Sequence, residues 1–387
     1  MIIELHILQN FAPANLNRDD TGSPKDCEFG GHRRARVSSQ CFKRAIRTEP
    51  SFYEFLLQNN GGVRTRRLIL EIAERLTEER PVPEKIVKLV SEVFAEGGLE
   101  RPKAKKGEDA EKDQTKLLLF MERKALDEMA SLFKANWEEL TKGHKETKGN
   151  LVSKLGAELV NRVKAPDIAL FGRMVEIEGA KPFGKLNLGI NAASQVAHAI
   201  STNKVNMEFD FFTAVDELIP AGETGAGMLG TVEFNSACFY RYANVDTSQL
   251  KKNLDGDAEL TGKTIEAFIR AAVTAIPTGK QNSMAAQNPP SLVLAVVREA
   301  GYWSLANAFV KPVRPKGESD LVEESIKALD GYWGSLAGMY GGEQIKGQWV
   351  ASLAPNSLAN LKEAKVNTLT ELIANVMGKL NPQPQEA

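Results

Sequence analysis

The sequence has few cysteines, few histidines and no long hydrophobic run. Three cysteines and four histidines occur among 387 residues, and no two cysteines form a CxxC pair. This pattern argues against a disulfide framework and against a zinc site, and it fits a reducing cytosol. No apolar run approaches the ~18 residues that a membrane-spanning helix needs. The start, MIIELHILQN, lacks the basic region of a secretory signal. We therefore expect a cytoplasmic protein without a cofactor.

Charge is balanced over the whole chain but not locally. The sequence holds 49 basic and 50 acidic residues, for a net charge of -1. That balance argues against a protein that coats nucleic acid non-specifically, but it permits a dedicated groove. The segment 30–47 contains no acidic residue at all. Its basic residues are Arg33, Arg34, Arg36, Lys43, Arg44 and Arg47.

A helix with two distinct faces is predicted inside this segment, over residues 38–47. The paired Ser38 and Ser39 favour a helix start, where free backbone N–H groups bind phosphate oxygens well. Polar side chains then recur at helical spacing on one face, and apolar ones occupy the other. The polar face consists of Gln40, Lys43, Arg44 and Arg47, and the apolar face of Cys41, Phe42, Ala45 and Ile46. A cationic surface that grips an anion is one interpretation, and a solvated face without a ligand is the other.

The pattern of elements predicts an α+β protein of two or three folding units rather than a doubly wound sheet. Apolar residues alternate at 2–9, and aromatic and β-branched residues fill 230–245, so both segments are predicted strands. Further predicted strands are 167–174 and 291–299. Predicted helices lie within 64–96, 120–140, 262–275, 320–338 and 357–380. Residues 10–37, 100–116 and 143–150 are expected to be loops or breaks, and 381–387 a disordered tail.

Several apparent catalytic motifs lack the context that they need. Gly225, Gly227 and Gly230 spell GxGxxG, but they precede a strand instead of following one, so we interpret them as a hairpin tip. No Ser–His–acid or Cys–His arrangement stands out. Asp19 and Asp20 could suggest a metal pair, but adjacent side chains usually point apart, and a salt bridge to the neighbouring Arg18 is the preferred interpretation. His198 lies in SQVAHAIS, which we expect to be helical, with the imidazole bonded to a backbone carbonyl.

An aromatic cluster is the second signal. Phe209, Phe211 and Phe212 stand together in FDFFTAV, next to a glycine-rich hairpin that ends in Met228 and Leu229. Such clusters usually belong to a core. Apolar side chains on a projecting hairpin can also act as a wedge between nucleobases, since unstacking one step costs only a few kcal/mol.

Five collinear segments resemble the CasC-type backbone subunit of type I-E CRISPR surveillance complexes (Cascade). The resemblance extends from the N-terminus past residue 300 and is weak at about 50–160 and after 320. The segments are 16–47, DIALFGRM at 167–174, VAHAIST at 196–202, FFTAVDEL at 211–218 and LGTVEFNSACFYRYANVD at 229–246.

This resemblance implies an RRM-like (ferredoxin-like) palm, a helical fingers insertion and a β-hairpin thumb. The implied ranges are palm 1–60 with the basic helix 38–47, fingers 61–188, thumb 189–231, second palm part 232–320, and a C-terminal helical region 321–387. Family members are non-catalytic. Their copies stack along the spacer of a CRISPR RNA, kink it periodically and display its bases for pairing with target DNA in antiviral defence. The implied partners are CRISPR RNA, target DNA, other copies of the chain and other Cascade subunits.

The same resemblance implies two groups of site residues. Contacts to the RNA backbone fall on Arg18, Lys25, Ser38, Gln40, Lys43, Arg44 and Arg47. Arg34 and Ser39 join this group from the basic segment itself. The wedge that displaces a base falls on Met174, Phe212, Thr213 and Leu229. No residue is implied to be catalytic or to bind a metal.

The sequence departs from the family pattern in two places, and one enzymatic alternative stays open. The fingers region is long and highly charged, and His32 stands where a basic residue is expected. Related subunits of other CRISPR types cut target RNA with a metal and a loop aspartate. Asp19, Asp20 and Asp26 are the candidates for that role here.

Overall fold

The computed structural model describes residues 1–100, 114–160, 164–175, 177, 181–215 and 226–380, and their fold is a mixture of helices and antiparallel strands. The strands are β1 Ile2–Ala14, β2 Asp26–Phe29, β3 His32–Val37, β4 Gly62–Thr65, β5 Leu119–Glu122, β6 Ser194–Val196, β7 Ala199–Ser201, β8 Glu208–Val215, β9 Ala226–Asp246, β10 Leu292–Arg298 and β11 Ile345–Ser352. The helices are α1 Ser39–Thr48, α2 Pro50–Gln58, α3 Leu68–Leu76, α4 Glu84–Gly97, α5 Arg123–Ala135, α6 Trp137–Thr141, α7 Lys145–Val160, α8 Pro166–Phe171, α9 Thr247–Asn253, α10 Ala258–Thr274, α11 Gln281–Met284, α12 Leu321–Tyr340 and α13 Leu369–Leu380.

The chain divides into two compact units. Unit 1 comprises Met1–Phe52, Ser194–Thr247 and Ile265–Ala387, and unit 2 comprises Tyr53–Ala193 and Ser248–Thr264. The segment 61–188, expected as a helical insertion, falls within unit 2. Unit 2 also includes residues 248–264, which the resemblance had placed in the second palm part, 232–320.

Unit 1 is built on a large antiparallel sheet. Within the described ranges its strand order is β11-β10-β1-β9-β7-β3-β2, and β6 and β8 also pair with β9. The two parts of the long strand β9 pair with different strands. Its second part pairs with β1 from Asn235 to Asp246, whereas its first part, up to Phe234, pairs with β8. The β8–β9 hairpin is therefore a continuation of a central strand of the sheet.

The core of unit 1 lies against this sheet. Every residue of β10 is buried, and residues 292–297 are all apolar, as is typical of a strand covered on both faces. Leu292, Leu294 and Val296 of β10 belong to the same apolar cluster as Ile326 and Leu329 of α12. A second cluster includes Phe42 of α1 with Phe11 and Phe239 of the central strands. Helix α1 is thereby anchored to the sheet through its apolar face.

Unit 2 is mainly helical. Helices α3, α4, α5 and α7 share one apolar core, in which Phe94 and Phe133 contact each other at 5.8 Å between ring centroids. Strands β4 and β5 form a separate antiparallel pair. The amphipathic helices predicted within 64–96 are confirmed as α3 and α4.

Three further predictions of secondary structure were wrong. The segment 10–37 is not mainly loop, because β1 continues to Ala14 and β2 and β3 form a hairpin. In the polar stretch 143–150 only Gly143 and His144 lie outside a helix, since α7 begins at Lys145. The segment 167–174 is not a strand: Pro166 stands in the first turn of the short buried helix α8, where its fixed φ suits a helix start. Periodicity cannot separate a strand from a helix in so short an apolar run.

The C-terminal prediction was right only in part. Helix α13 occupies Leu369–Leu380, but the chain before it adds the strand β11, which the sequence analysis missed. β11 pairs with β10 and is an edge of the sheet of unit 1. The expected mobile connector at 100–116 falls mostly, and the expected disordered tail at 381–387 entirely, outside the described residues.

Candidate nucleic-acid interface

Helix α1 confirms the two-faced helix predicted from the sequence. Ser38 is its N-cap, and the Ser38 hydroxyl accepts a hydrogen bond from the Cys41 N–H at 3.2 Å. Phe42, Ala45 and Ile46 are buried on the sheet side. The guanidinium of Arg241 on β9 lies 4.2 Å from the centre of the Phe42 ring, a cation–π contact that ties the helix to the sheet.

The opposite face of α1 is cationic and accessible. Gln40 and Arg44 are exposed, and Lys43 and Arg47 are half-buried. No acidic residue stands in the first turn. Because the apolar face is held by the core, the charged side chains are presented from a fixed backbone rather than from a flexible loop. Such a surface suits the phosphates of a nucleic acid.

A loop before β2 brings two further cations to the start of this helix. The Lys25 N–H donates to the Asn17 carbonyl at 2.9 Å, and the Arg36 N–H donates to the Lys25 carbonyl at 2.9 Å. The Asn17 side chain then accepts the Ser38 N–H at 2.9 Å. Asn17 therefore couples the loop that carries Arg18 and Lys25 to the N-terminus of α1.

The three candidate loop aspartates have different surroundings. Asp19 accepts hydrogen bonds from the hydroxyl and N–H of Thr21 and from the N–H of Ser23, and the Thr21 hydroxyl bond is the main cause of the lowered pKa of Asp19. Asp26 forms an ion pair with Arg33. Asp20 is exposed. Among the described residues, no three of the types Asp, Glu, His and Cys are grouped as a metal site.

Arg34 requires a correction. We expected it to contact RNA, but its side chain is 0% exposed. Its guanidinium donates hydrogen bonds to four backbone carbonyls, those of Ser201, Thr202, Phe309 and Val310. Burial lowers the pKa of Arg34, although a guanidinium stays charged at neutral pH. Arg34 thus joins separate parts of unit 1 and is not available to a surface ligand.

The two serines at the start of α1 differ in accessibility. Ser38 is buried and its hydroxyl oxygen serves the cap. Ser39 is half-buried, and its hydroxyl lies 3.4 Å from the Gln40 side-chain oxygen. At the start of α1, Ser39 and Gln40 are therefore the polar residues accessible to a ligand. Ser38 instead fixes the start of the helix.

His198 is not in a helix, contrary to expectation. It stands between β6 and β7, is exposed, and its Nδ1 accepts the Ser39 N–H at 3.0 Å. Desolvation, followed by the charges of Arg36 and Lys25, lowers the pKa of His198. The sequence analysis missed its place beside α1.

The aromatic cluster lies on an exposed hairpin and not in a core. Phe209, Phe211 and Phe212 are 66%, 64% and 38% exposed. Side chains alternate along a strand, so Phe209 and Phe211 share one face of the hairpin and Phe212 lies on the other. Phe212 packs over Gly230, its partner on β9, where a Cβ atom would come within 2.3 Å of the ring.

The remaining predicted wedge residues are placed as follows. Thr213 is exposed and pairs with Leu229 across β8 and β9, and the side chain of Leu229 lies outside the described part of the chain. Met174 belongs to unit 2 and is 98% exposed. Its neighbour Arg173 is buried, and the Arg173 guanidinium donates to the carbonyls of Leu188, Phe120 and Leu159. Met174 thus projects from a backbone that is firmly held.

Comparison with known proteins identifies the family. The sequence model of the CT1975-like protein family matches residues 3–375. The chain belongs to this family. A solved chain described as "CRISPR RNA-guided surveillance complex, pre-nicking" is 29% identical to this CT1975-like protein, with a TM-score of 0.82, over 98% of this chain and 99% of that one. Another, described as "CRISPR RNA-guided surveillance complex", is 25% identical with a TM-score of 0.71, over 98% and 99%.

These matches confirm the resemblance to CasC-type subunits that the sequence segments indicated. A search of the curated proteins found no match. None of the helices in the described ranges has the length and apolar character to span a membrane.

Asn17 and His198 are the interface residues that sequence reasoning did not find. Asparagine commonly bonds to backbone groups two residues away, but Ser38 is 21 positions from Asn17, so no local pattern indicated this bond. His198 is 159 positions from Ser39 in the sequence. No local pattern reveals a contact at that separation, although VAHAIST was one of the segments that carried the family resemblance.

Proposed function

We propose that this chain is a non-catalytic, RNA-binding backbone subunit of a type I-E CRISPR RNA-guided surveillance complex. Several copies would stack along the spacer of a CRISPR RNA, together with other Cascade subunits, and present its bases to target DNA in the cytoplasm. The observation that carries this proposal is the cationic face of α1, which is anchored by Phe42 and extended by Arg18 and Lys25. The two solved chains compared above are each described as a CRISPR RNA-guided surveillance complex.

The chemistry of the surface fits a subunit that must hold any guide sequence. Lysine, arginine and helix-start N–H groups recognise phosphate and ribose, and those contacts carry no sequence information. The accessible set comprises Arg18, Lys25, Ser39, Gln40, Lys43, Arg44 and Arg47, with Ser38 as the cap. Base edges would then remain free for pairing. A net charge of -1 also limits repulsion between stacked copies.

In this proposal unit 1 is an RRM-like palm, unit 2 forms the fingers, and the β8–β9 hairpin is a thumb that kinks the RNA. Exposed apolar side chains separate bases at a cost of a few kcal/mol per step. Phe212 and Thr213 on the hairpin, Leu229 opposite them, and Met174 in unit 2 would serve as the wedge. The packing of Phe212 over Gly230 supports this role, because it fixes the ring in one orientation.

The salt dependence of guide binding tests the RNA interface. The complex is assembled with wild-type chain or with the combined variant Lys43→Ala, Arg44→Ala and Arg47→Ala, and the RNA affinity is measured over a range of salt concentrations. On single-stranded nucleic acid, each lost phosphate contact lowers the log–log slope by about 0.7. We expect a clear fall in both slope and affinity.

The control removes three exposed lysines from the C-terminal part of unit 1. Lys362→Ala, Lys365→Ala and Lys379→Ala make the same change in net charge, so a general effect of charge would appear in both variants. The proposal fails if the α1 variant, correctly folded, keeps the slope of the wild type.

A fluorescent base tests the wedge. 2-Aminopurine placed at successive guide positions becomes bright where a base leaves the stack. We expect a periodic signal that Phe212→Ala reduces, since stacking on an aromatic ring is worth about 1–3 kcal/mol. Phe209→Ala removes a similar ring from the other face of the hairpin and is expected to preserve the signal. A periodic signal that depends on Phe209 instead would reject the assignment.

Incubation with complementary RNA and Mg²⁺ tests the absence of catalysis. The bonds of Asp19 to Thr21 and Ser23, and of Asp26 to Arg33, support a structural role for these two carboxylates. We expect no cleavage at regular intervals. Regular cleavage that disappears in Asp20→Asn would establish the alternative, a metal-dependent ribonuclease subunit.

A further inference from the structure

Two N–H donors converge on a single nitrogen of the His198 ring. The Ser39 N–H lies 3.0 Å from His198 Nδ1, and Nη1 of Arg36 lies 3.5 Å from the same atom. A nitrogen that accepts these donors must offer a lone pair, so the ring proton of the neutral imidazole resides on Nε2. The fold therefore fixes the tautomer of His198.

The surroundings also keep the ring uncharged. Arg36 faces it from β3, Lys25 faces it from the loop before β2, and the positive end of the α1 dipole approaches through Ser39. Desolvation is the main cause of the lowered pKa of His198, and the charges of Arg36 and Lys25 add to it by opposing a further charge on the ring. The ring itself is exposed, and within the described residues its two hydrogen bonds both involve Nδ1 and leave Nε2 open to solvent. His198 thus offers one neutral N–H donor at the surface.

This donor lies within the interface already defined. Ser39, Arg36 and Lys25 surround the ring, and Gln40 follows Ser39 on α1. A strand of RNA that contacts the start of α1 would bring its sugar–phosphate oxygens to this position.

We propose that His198 is an additional guide-RNA contact, in which Nδ1 positions the start of α1 and Nε2–H donates to an oxygen of the sugar–phosphate backbone. This inference rests on the proposed RNA-binding function. It adds a hydrogen bond without a charge, which distinguishes His198 from the lysines and arginines around it. The acceptor is either a phosphate oxygen or a ribose 2′-hydroxyl, since both lie on the same backbone.

Two substitutions separate the roles of the two nitrogens. His198→Asn places an amide oxygen near Nδ1 and retains an acceptor for the Ser39 N–H, but it does not reach the position of Nε2. His198→Gln places an amide N–H near Nε2 and loses the acceptor for Ser39. Each variant is assembled with guide RNA, and its thermal stability, RNA affinity and salt slope are compared with those of the wild type.

We expect His198→Asn to keep its stability and to lose about tenfold in RNA affinity, which is the size of effect expected for one hydrogen bond. Its salt slope should equal that of the wild type because no charge is removed. His198→Gln should bind RNA more tightly than His198→Asn while showing faster amide exchange at Ser39. Full affinity in a folded His198→Asn variant would overturn the proposal, as would an affinity loss in both variants that merely follows their loss of stability.

A DNA guide of the same sequence distinguishes the two acceptors. If the acceptor is a 2′-hydroxyl, the His198→Asn effect disappears on DNA, and if it is a phosphate oxygen, the effect persists. Failure of the underlying function is recognised separately, through an unchanged salt slope in the α1 triple variant. A nitrogen-15 spectrum of the four histidines provides an independent check, since a protonated Nδ1 in the free chain would contradict the tautomer.

Discussion

The β2–β3 hairpin and helix α1 are consecutive, and β3 and α1 share the acid-free segment 30–47, yet the two elements use their arginines in opposite ways. In the hairpin, Arg33 pairs with Asp26 and Arg34 is buried among backbone carbonyls. In α1, Arg44 is exposed and belongs to a cationic face. Arg33 and Arg34 of the hairpin bind groups of the protein itself, whereas Arg44 of the helix is exposed to solvent.

This contrast between the hairpin and the helix shows that a high local density of charge does not define a binding surface. A strand turns successive side chains to opposite faces, so neighbouring arginines of β3 meet different environments. A helix with charges three and four residues apart gathers them on one face. The same residue type is a structural tie in one element and a candidate ligand in the next. Exposure and partners decide between these roles.

The largest expected effect comes from removing the buried arginine of the hairpin. Arg34→Met keeps much of the side-chain volume but removes the donor to the carbonyls of Ser201, Thr202, Phe309 and Val310. Leaving buried polar groups unpaired costs about 1–3 kcal/mol each, so we expect the free energy of unfolding to fall by about 3 kcal/mol or more. Denaturant titration measures it.

Arg33→Met is the matched control, one residue away on the same strand. Its ion pair with Asp26 is largely exposed, and such pairs contribute about 0–1 kcal/mol. Equal stability losses for the two variants would show that burial is not what separates Arg34 from Arg33.

A smaller effect is expected when one charge is removed from each half of the segment and RNA binding is measured. Arg44→Gln should weaken guide binding about tenfold, since hydrogen bonds to charged groups contribute about 1.5–3 kcal/mol. It should also lower the salt slope by about 0.7. Arg33→Gln should change neither quantity appreciably, because Asp26 already neutralises Arg33. An equal loss of affinity in both variants would extend the RNA interface to the hairpin and remove the contrast.

The sequence was sufficient to predict α1 and its two faces because both were visible within ten residues. The helical spacing of Lys43, Arg44 and Arg47 and the apolar spacing of Phe42, Ala45 and Ile46 agree with each other. The burial of Arg34 was not predictable in the same way, since its carbonyl partners lie 167 to 276 positions further along the chain. Only the tertiary fold brings them together.

The aromatic hairpin is a second case in which local sequence could not predict burial, and here the segment is exposed. FDFFTAV is as apolar as a core strand, and composition alone favoured burial. Its exposure follows from β9, whose first part extends beyond β1 and pairs with β8. The length of a partner strand is a property of the whole sheet, so a reading of residues 209–215 could not determine it. The segment 167–174 was misassigned because its helix is too short for a periodicity to develop.

The smallest expected effect concerns the point where the hairpin ends and the helix begins. Ser38→Ala removes the hydroxyl that accepts the Cys41 N–H, and losing an N-cap costs about 1 kcal/mol. Ser39→Ala, one residue later, leaves that cap intact and should change stability by less than about 0.5 kcal/mol. Denaturant titration separates the two. For RNA binding at constant fold the order should reverse, since Ser39 is accessible and Ser38 is buried. If Ser38→Ala instead lowers RNA affinity more than Ser39→Ala at equal stability, the buried serine contacts the guide directly, and the binding residues begin at Ser38 and not at Ser39.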